Sequence, residues 1–199
     1  MPDFILEEKA RANGYKYICG VDEAGRGPLA GPVCAAAVIL PQNCIIDGLN
    51  DSKKLSEKKR EQLYDIIIST AVSYCISYAS VEEIEQYNIL GATFLAMNRA
   101  IDGLSVKPDF ALIDGNRVPK DIKIDCETVV KGDSKSYSIA AASILAKVSR
   151  DRLMLKYDEM YPEYGFKKHK GYGTKDHYTA IKQNGICEIH RVSFLKNVH

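Results

Sequence analysis

Four carboxylates constrain this chain most. Asp22 and Glu23 close the apolar run Tyr17-Ile18-Cys19-Gly20-Val21, Asp114 closes Phe110-Ala111-Leu112-Ile113, and Asp133 follows Thr128-Val129-Val130-Lys131-Gly132. Short apolar runs of this kind read as strands. Acids at strand ends can converge at one edge of a sheet although they lie far apart in sequence. Without a cation such a group repels itself, and some members must hold a proton. With Mg²⁺ or Mn²⁺ it becomes a hard-oxygen site, which suits phosphoryl chemistry.

Each acid also has a plain reading. Asp114-Gly115 reads as a turn, and Asp133 reads as a helix N-cap ahead of Ser134-Lys135-Ser136. Asp22 and Glu23 are neighbours, and neighbours on a regular strand point to opposite faces. The spacing therefore predicts a broken pleat if both serve one site, and Gly25 and Gly27 make that feasible.

The remaining segments predict an α/β fold with a mixed central sheet flanked by helices. Tyr17–Val21 and Val33–Leu40 read as an antiparallel hairpin with a wide, glycine-rich connection. Ser56 is placed to cap a helix carrying Leu63, Ile66 and Ile67. Ala71–Ala79 reads as a strand, and Ser80-Val81-Glu82-Glu83 matches a capping box that starts a short helix. A helix follows over Ile89–Leu104, then strands over Phe110–Ile113 and Ile124–Val130. Ser136–Tyr157 is strongly helical, and Ala140-Ala141-Ala142 lets that helix approach the sheet closely. Tyr161–Gly173 reads as a basic, Gly/Tyr-rich loop, and Thr174 caps a last helix ending at Gly185. No repeat or linker divides residues 1–199, so one domain is expected, with its core at about 17–194.

Net charge is only +1, so any polyanion site must be a local patch. Basic residues do cluster at Lys53-Lys54 with Lys58-Lys59-Arg60, and at Lys167-Lys168-His169-Lys170. The six cysteines are scattered, with no C-x-x-C pair, which argues against zinc and against a disulfide framework. No h-region opens the chain, and the longest apolar run, Val33–Leu40, is too short to span a bilayer. A monomer in a reducing, cytoplasmic compartment is expected, with no membrane contact and no obligate protein partner.

Two loops remain. Gly25-Arg26-Gly27-Pro28-Leu29-Ala30 fits the relaxed dinucleotide pattern, but that pattern must open a helix, and here Gly31-Pro32 and a strand-like run follow. A tight turn is the plain reading. The functional one is a bare backbone that a nucleic-acid strand approaches closely, with N–H groups free for phosphate. His169-Lys170-Gly171-Tyr172-Gly173 combines cation, aromatic and glycine, and can stack on sugars or bases and neutralise phosphate. His177, His190 and His199 have no partner at ligand spacing and receive no role.

Taken in order, six stretches closely resemble the ribonuclease H type 2 (ribonuclease HII) family. They are Gly20 to Pro32, Leu49 to Ser56, Leu112 to Asn116 and Val130 to Ser134. Ala140 to Val148 with Arg150-Asp151, and His169 to Tyr172, complete the set. The likeness runs from about Tyr17 to Phe194, with no departure at the expected catalytic positions. It implies a ribonuclease H-like fold and a metal-dependent endonuclease. The implied substrates are the RNA strand of RNA–DNA hybrids and single ribonucleotides embedded in duplex DNA, nicked on their 5′ side. Asp22, Glu23, Asp114 and Asp133 match the family's catalytic, metal-binding acids. Gly25-Arg26-Gly27 and Tyr172 match the elements that read the ribose 2′-hydroxyl. Lys53 and Lys170 are candidate phosphate contacts on charge alone.

The chemistry agrees with that resemblance. Two Mg²⁺ or Mn²⁺ ions about 3.5–4 Å apart clamp the scissile phosphate, leaving 5′-phosphate and 3′-hydroxyl ends. Asp22 is the expected bridge between them. Three alternatives stand beside this reading. One is a non-catalytic binder of hybrid duplex, and another is a dinucleotide-dependent enzyme. The third is the type 3 branch, whose extra N-terminal domain finds no room before a first strand near Tyr17.

Overall fold

The computed structural model of the chain describes residues 1–195, so His199 lies outside the described residues. β1 (Ile18–Ala24) and β2 (Val33–Ile39) pair antiparallel, with Asp22 opposite Ala36 and Glu23 opposite Ala35. β2 pairs antiparallel with β3 (Ser73–Ala79). On its other side β1 runs parallel to β4 (Phe110–Asp114), and β4 runs parallel to β5 (Asp125–Val129). The five-stranded mixed sheet has the order β3-β2-β1-β4-β5.

Every residue of β2 is buried, so both faces of the sheet must be covered. On one face Cys19, Val21, Ala35 and Ala37 pack against Ala92, Ala96 and Ala100 of α3 (Val81–Asp102). On the other, Cys34, Ala36 and Val38 pack against α2 (Glu57–Thr70) and α4 (Tyr137–Met160). The expected close approach of α4 is present: Ala140, Ala141 and Ala142 are fully buried. Gly20 completes it, because a Cβ there would lie 2.1 Å from the Ser138 carbonyl carbon. The caps follow the sequence. Ser56, Ser136 and Thr174 each accept a backbone N–H three residues on, and Ser80 with Glu83 forms the capping box. The two helices expected after Ser80 and from Ile89 form one element kinked at Asn88 (φ 59°). The Asn88 Oδ1 accepts from the N–H groups of Leu90 and Gly91 and so restarts the helix.

Two segments depart from expectation. Residues before Tyr17 include α1 (Ile5–Ala12), whose Glu7 is fully buried. Its Oε1 accepts from the Ser136 hydroxyl (2.6 Å) and the Ser138 N–H (2.9 Å), so a carboxylate from another element caps α4. Nothing in a short, charged run announces that contact. The expected loop Tyr161–Gly173 is a 3₁₀ turn (Pro162–Tyr164) followed by α5 (Phe166–His169). Tyr164 and Phe166 anchor a satellite core with Leu29, Met154 and Ile181 of α6 (Lys175–Asn184). Apolar burial orders a segment whose glycines and lysines suggest mobility. All six cysteines are free. Among the described residues no helix is long and apolar enough to cross a membrane.

Candidate active site

Strand register gathers the acids. Val21 pairs with Ile113, so the next residues along these parallel strands, Asp22 and Asp114, stand side by side at the carboxyl end of β4. Asp114 in turn pairs with Val129, the last residue of β5. The chain then passes through Lys131 (φ 56°) into a 3₁₀ turn, Gly132–Ser134, that carries Asp133. Carboxyl ends of adjacent parallel strands are where open α/β sheets bind their ligands.

The pleat does not break at Asp22-Glu23, contrary to expectation: β1 continues through Ala24. The two side chains do leave on opposite faces. Asp22 meets Ser143 of α4, whereas Glu23 lines a cleft with Leu90, Thr93, Phe94 and Met97 of α3. Both still lie near Asp114, because β4 stops there, level with Asp22. Past that end no strand separates the two faces. Asp114 accordingly acts on both, raising the proton affinity of Asp22 and of Glu23.

The cluster carries more negative charge than the chain balances. Burial, then Glu23 and Asp114, hold the Asp22 carboxyl well above the ordinary carboxylate range. Burial also raises Glu23, against the opposing pull of Arg26 at 3.3 Å. Asp133 is raised by burial, then by Asp51 and Asp114, and Lys53 opposes this from 4.0 Å. Lys53 is raised in turn: burial opposes, but Asp133, Asp22, Asp51 and Asp114 together prevail. Its side chain is 82 % exposed, so it overlooks the acids from solvent rather than neutralising them.

Among the described residues no three His, Cys, Asp or Glu side chains are placed to hold a metal ion together. Each acid has a protein partner instead. Asp22 Oδ1 accepts from the Glu23 N–H (2.7 Å) and Asp114 Oδ1 from the Gly132 N–H (2.6 Å), while Glu23 pairs with Arg26 and Asp133 with Lys53. The donor set is all oxygen, crowded and short of cations, and it fits a hard divalent ion.

The other sequence-derived candidates fall around this edge. Gly25-Arg26-Gly27 leads into β2 rather than into a helix, which removes the dinucleotide reading. A Cβ at Gly27 would lie 3.5 Å from Cε1 of Tyr172, so loop and ring adjoin. Glu23, Arg26, Asp114, Asn116 and Arg117 line a shared cleft of about 360 Å³. A roomier cleft of about 460 Å³ lies along α3 around Tyr87 and Arg99, but it lacks the acids. Lys170 caps α5 in the left-handed region (φ 51°), and its ammonium donates to the Lys167 carbonyl.

Several residues here had no role in the sequence reading. Asp51 stands beside Asp133, and the Ser52 hydroxyl lies 2.9 Å from that of Ser143, which supports Asp22. Behind Tyr172 lies a buried histidine group. His177 Nδ1 bonds the Tyr172 carbonyl (3.0 Å), and its Nε2 lies 3.1 Å from Nε2 of His190. His169 stacks on His177. Burial holds His177 neutral, pushed down to about 4, and lowers His190 as well. The signal available in the sequence was the nearby Phe and Tyr, but thirteen residues separate His177 from His190.

Comparison with known proteins places this geometry. A family model described as ribonuclease HII matches residues 19–197. The ribonuclease HII of Clostridioides difficile is 56% identical over 98% of this chain and 76% of its own length. That of Caldicellulosiruptor bescii is 53% identical over 98% of this chain and 94% of its own. The crystal structure of ribonuclease H2 from Pyrococcus horikoshii superimposes with a TM-score of 0.75 at 26% identity, over 92% of this chain and 97% of that one. The ribonuclease H-like fold expected from the resemblance is therefore present, and the non-catalytic binder gives way to an enzyme. The chain belongs to the ribonuclease HII family and is an endoribonuclease of the ribonuclease H class.

Proposed function

We propose that this protein hydrolyses the RNA strand of RNA–DNA hybrids and nicks duplex DNA on the 5′ side of a single embedded ribonucleotide, with Mg²⁺ or Mn²⁺ as cofactor. The observation that carries this reading is the acid cluster at the carboxyl ends of β1, β4 and β5, raised in proton affinity by burial first and by neighbouring carboxylates second. Asp22, Glu23, Asp114 and Asp133 would hold the metal. When bound, two such ions supply Lewis-acid stabilisation of the phosphoryl oxygens and a water acidic enough to attack.

The rest of the chemistry falls to the chain. Asp22, the most enclosed of the four acids, would be the central residue holding the metal. Ser143 holds its carboxylate and favours the charged form. Arg26, on the cleft wall beside Glu23, presents a guanidinium to phosphate. Lys53 adds a solvent-exposed positive charge at the rim, and Lys170, two residues before Tyr172, is a candidate phosphate contact on charge alone. The 2′-hydroxyl is what separates RNA from DNA at a given sugar. Backbone N–H groups of Gly25-Arg26-Gly27 and the Tyr172 ring and hydroxyl test for it. A site built to bond a hydroxyl rejects the analogue lacking it strongly. We further propose a monomer working in a reducing, cytoplasmic compartment, which the six free cysteines fit.

The test is cleavage of a labelled DNA duplex containing one ribonucleotide, with Mg²⁺, Mn²⁺ or EDTA, beside an all-DNA control. Nicking 5′ to the ribonucleotide, leaving a 3′-hydroxyl and 5′-phosphate only when metal is present, is the expected result. Cleavage that persists in EDTA, or an equally cut control, overturns the reading.

A further inference from the structure

Two arginines are completely enclosed, and neither pairs with a carboxylate among the described residues. Arg150 donates from Nε to the Pro32 carbonyl (3.1 Å), from Nη1 to that of Lys170 (3.0 Å) and from Nη2 to that of Ala30 (3.0 Å). Arg191 donates from Nε to the Gly31 carbonyl (2.8 Å), from Nη1 to that of Arg26 (3.0 Å) and from Nη2 to that of Gly25 (2.6 Å). A buried charge is costly unless it is hydrogen-bonded. Here each guanidinium nitrogen has its own backbone acceptor. The planar fork suits three fixed carbonyls, which a lysine ammonium cannot span.

Five carbonyls of the 25–32 loop thus point inward at guanidinium groups. A trans peptide holds the N–H of the following residue on the opposite side. Drawing the Gly25 and Arg26 carbonyls inward therefore turns the N–H groups of Arg26 and Gly27 outward. Both residues are exposed, and neither N–H meets a backbone acceptor among the described residues. Gly27 adjoins the Tyr172 ring, where a Cβ on it would lie 3.5 Å from Cε1. Gly25 is required for this packing: its φ is +95°, and a Cβ would lie 2.0 Å from Arg150 Nε. The loop is also zipped to the Tyr172 segment through Leu29 N–H to the Gly171 carbonyl, and to the Arg191 segment through Arg191 N–H to the Leu29 carbonyl.

We propose that Arg191 is a positioning residue for ribose recognition, holding the Gly25 and Arg26 carbonyls inward so that the Arg26 and Gly27 N–H groups face the sugar beside Tyr172. Arg150 fixes the other half of the loop to Lys170, two residues before Tyr172. The inference rests on the role given to this loop under Proposed function and names what aims it.

The test compares wild-type protein with Arg191→Lys. In EDTA, affinities for a duplex with one ribonucleotide and for the same all-DNA duplex are measured; with metal, kcat and KM on the first are measured. Arg191→Lys, folded by circular dichroism, is expected to lose about 100-fold in kcat, the scale of a small misplacement. Its ribonucleotide-to-DNA affinity ratio falls toward one, which a general loss of stability would not produce. A folded Arg191→Lys protein that keeps the wild-type ratio overturns the proposal. If that variant does not fold, amide resonances of Arg26 and Gly27 in the wild type decide. They shift with the ribonucleotide duplex and not with all-DNA, and equal responses overturn the proposal. Wild-type protein that nicks neither duplex instead brings down the functional reading itself.

Discussion

The acid edge and the arginine-stapled loop are adjacent, and each buries charge in the opposite way. At the edge, Asp22 and Asp133 are almost fully enclosed among other carboxylates, and the nearest lysine is mostly in solvent. Their proton affinity rises as a result. In the loop, Arg150 and Arg191 are more deeply enclosed still, yet every guanidinium nitrogen has a carbonyl. Burial draws both below the ordinary arginine range, and neither forms an ion pair with a carboxylate among the described residues. The difference separates two uses of buried charge. Where the chain completes the hydrogen bonds, the charge is scaffold. Where like charges crowd instead, proton affinity rises.

The largest test of that contrast is Asp22→Asn. Removing one of the crowded acids should reduce cleavage by about 10³-fold or more, in the range seen when a central catalytic group is lost. Folding should survive, because relief of buried like charge offsets the lost hydrogen bond. Retained cleavage with an unchanged metal response would break the assignment of Asp22. The converse substitution, Arg150→Met, strands three buried carbonyls. It should lower stability by about 3 kcal/mol or more by urea unfolding. A loss below about 1 kcal/mol would show that water replaces the guanidinium.

The acid edge and the buried histidines behind Tyr172 also predict opposite responses to pH. Asp22, Glu23 and Asp133 have raised values in the folded state, so the folded protein holds protons that the unfolded chain has released. Stability from this source is lost as pH rises above the ordinary carboxylate range. His177 is depressed to about 4, so stability there is lost as pH falls from about 6.5 toward that value. Thermal unfolding across this range should show both slopes. Mg²⁺ should flatten the first, and His177→Gln the second. Identical curves with and without Mg²⁺ would count against metal at the acids. The smallest effect belongs to Lys53→Ala, which should reduce the salt slope of hybrid binding by about one. An unchanged slope would remove Lys53 from the phosphate contacts.

Much of the fold was legible because the relevant signals are local. Capping residues sit beside the backbone they cap, so Ser56, Ser80 with Glu83, and Thr174 marked helix starts correctly. Apolar runs as short as Phe110–Ile113 gave a strand buried on both sides. The segments that misled did so for non-local reasons. Glu7 is buried because it caps α4 across 129 residues, and Tyr161–Gly173 is ordered by a satellite core assembled from three distant stretches.

The candidate site divides along the same line. The sequence by itself determined which acids, loop and tyrosine were candidates, since residue type and strand-end position are written locally. Only the tertiary structure decided how Asp22 and Glu23 meet across an unbroken pleat, because that depends on where the neighbouring strand stops. It alone brought Asp51 to Asp133 and Ser143 to Asp22, and closed Arg191 over carbonyls at Gly25 and Arg26, 166 and 165 residues away. Register and chain reversal set those distances, and neither is a property of any short stretch of residues.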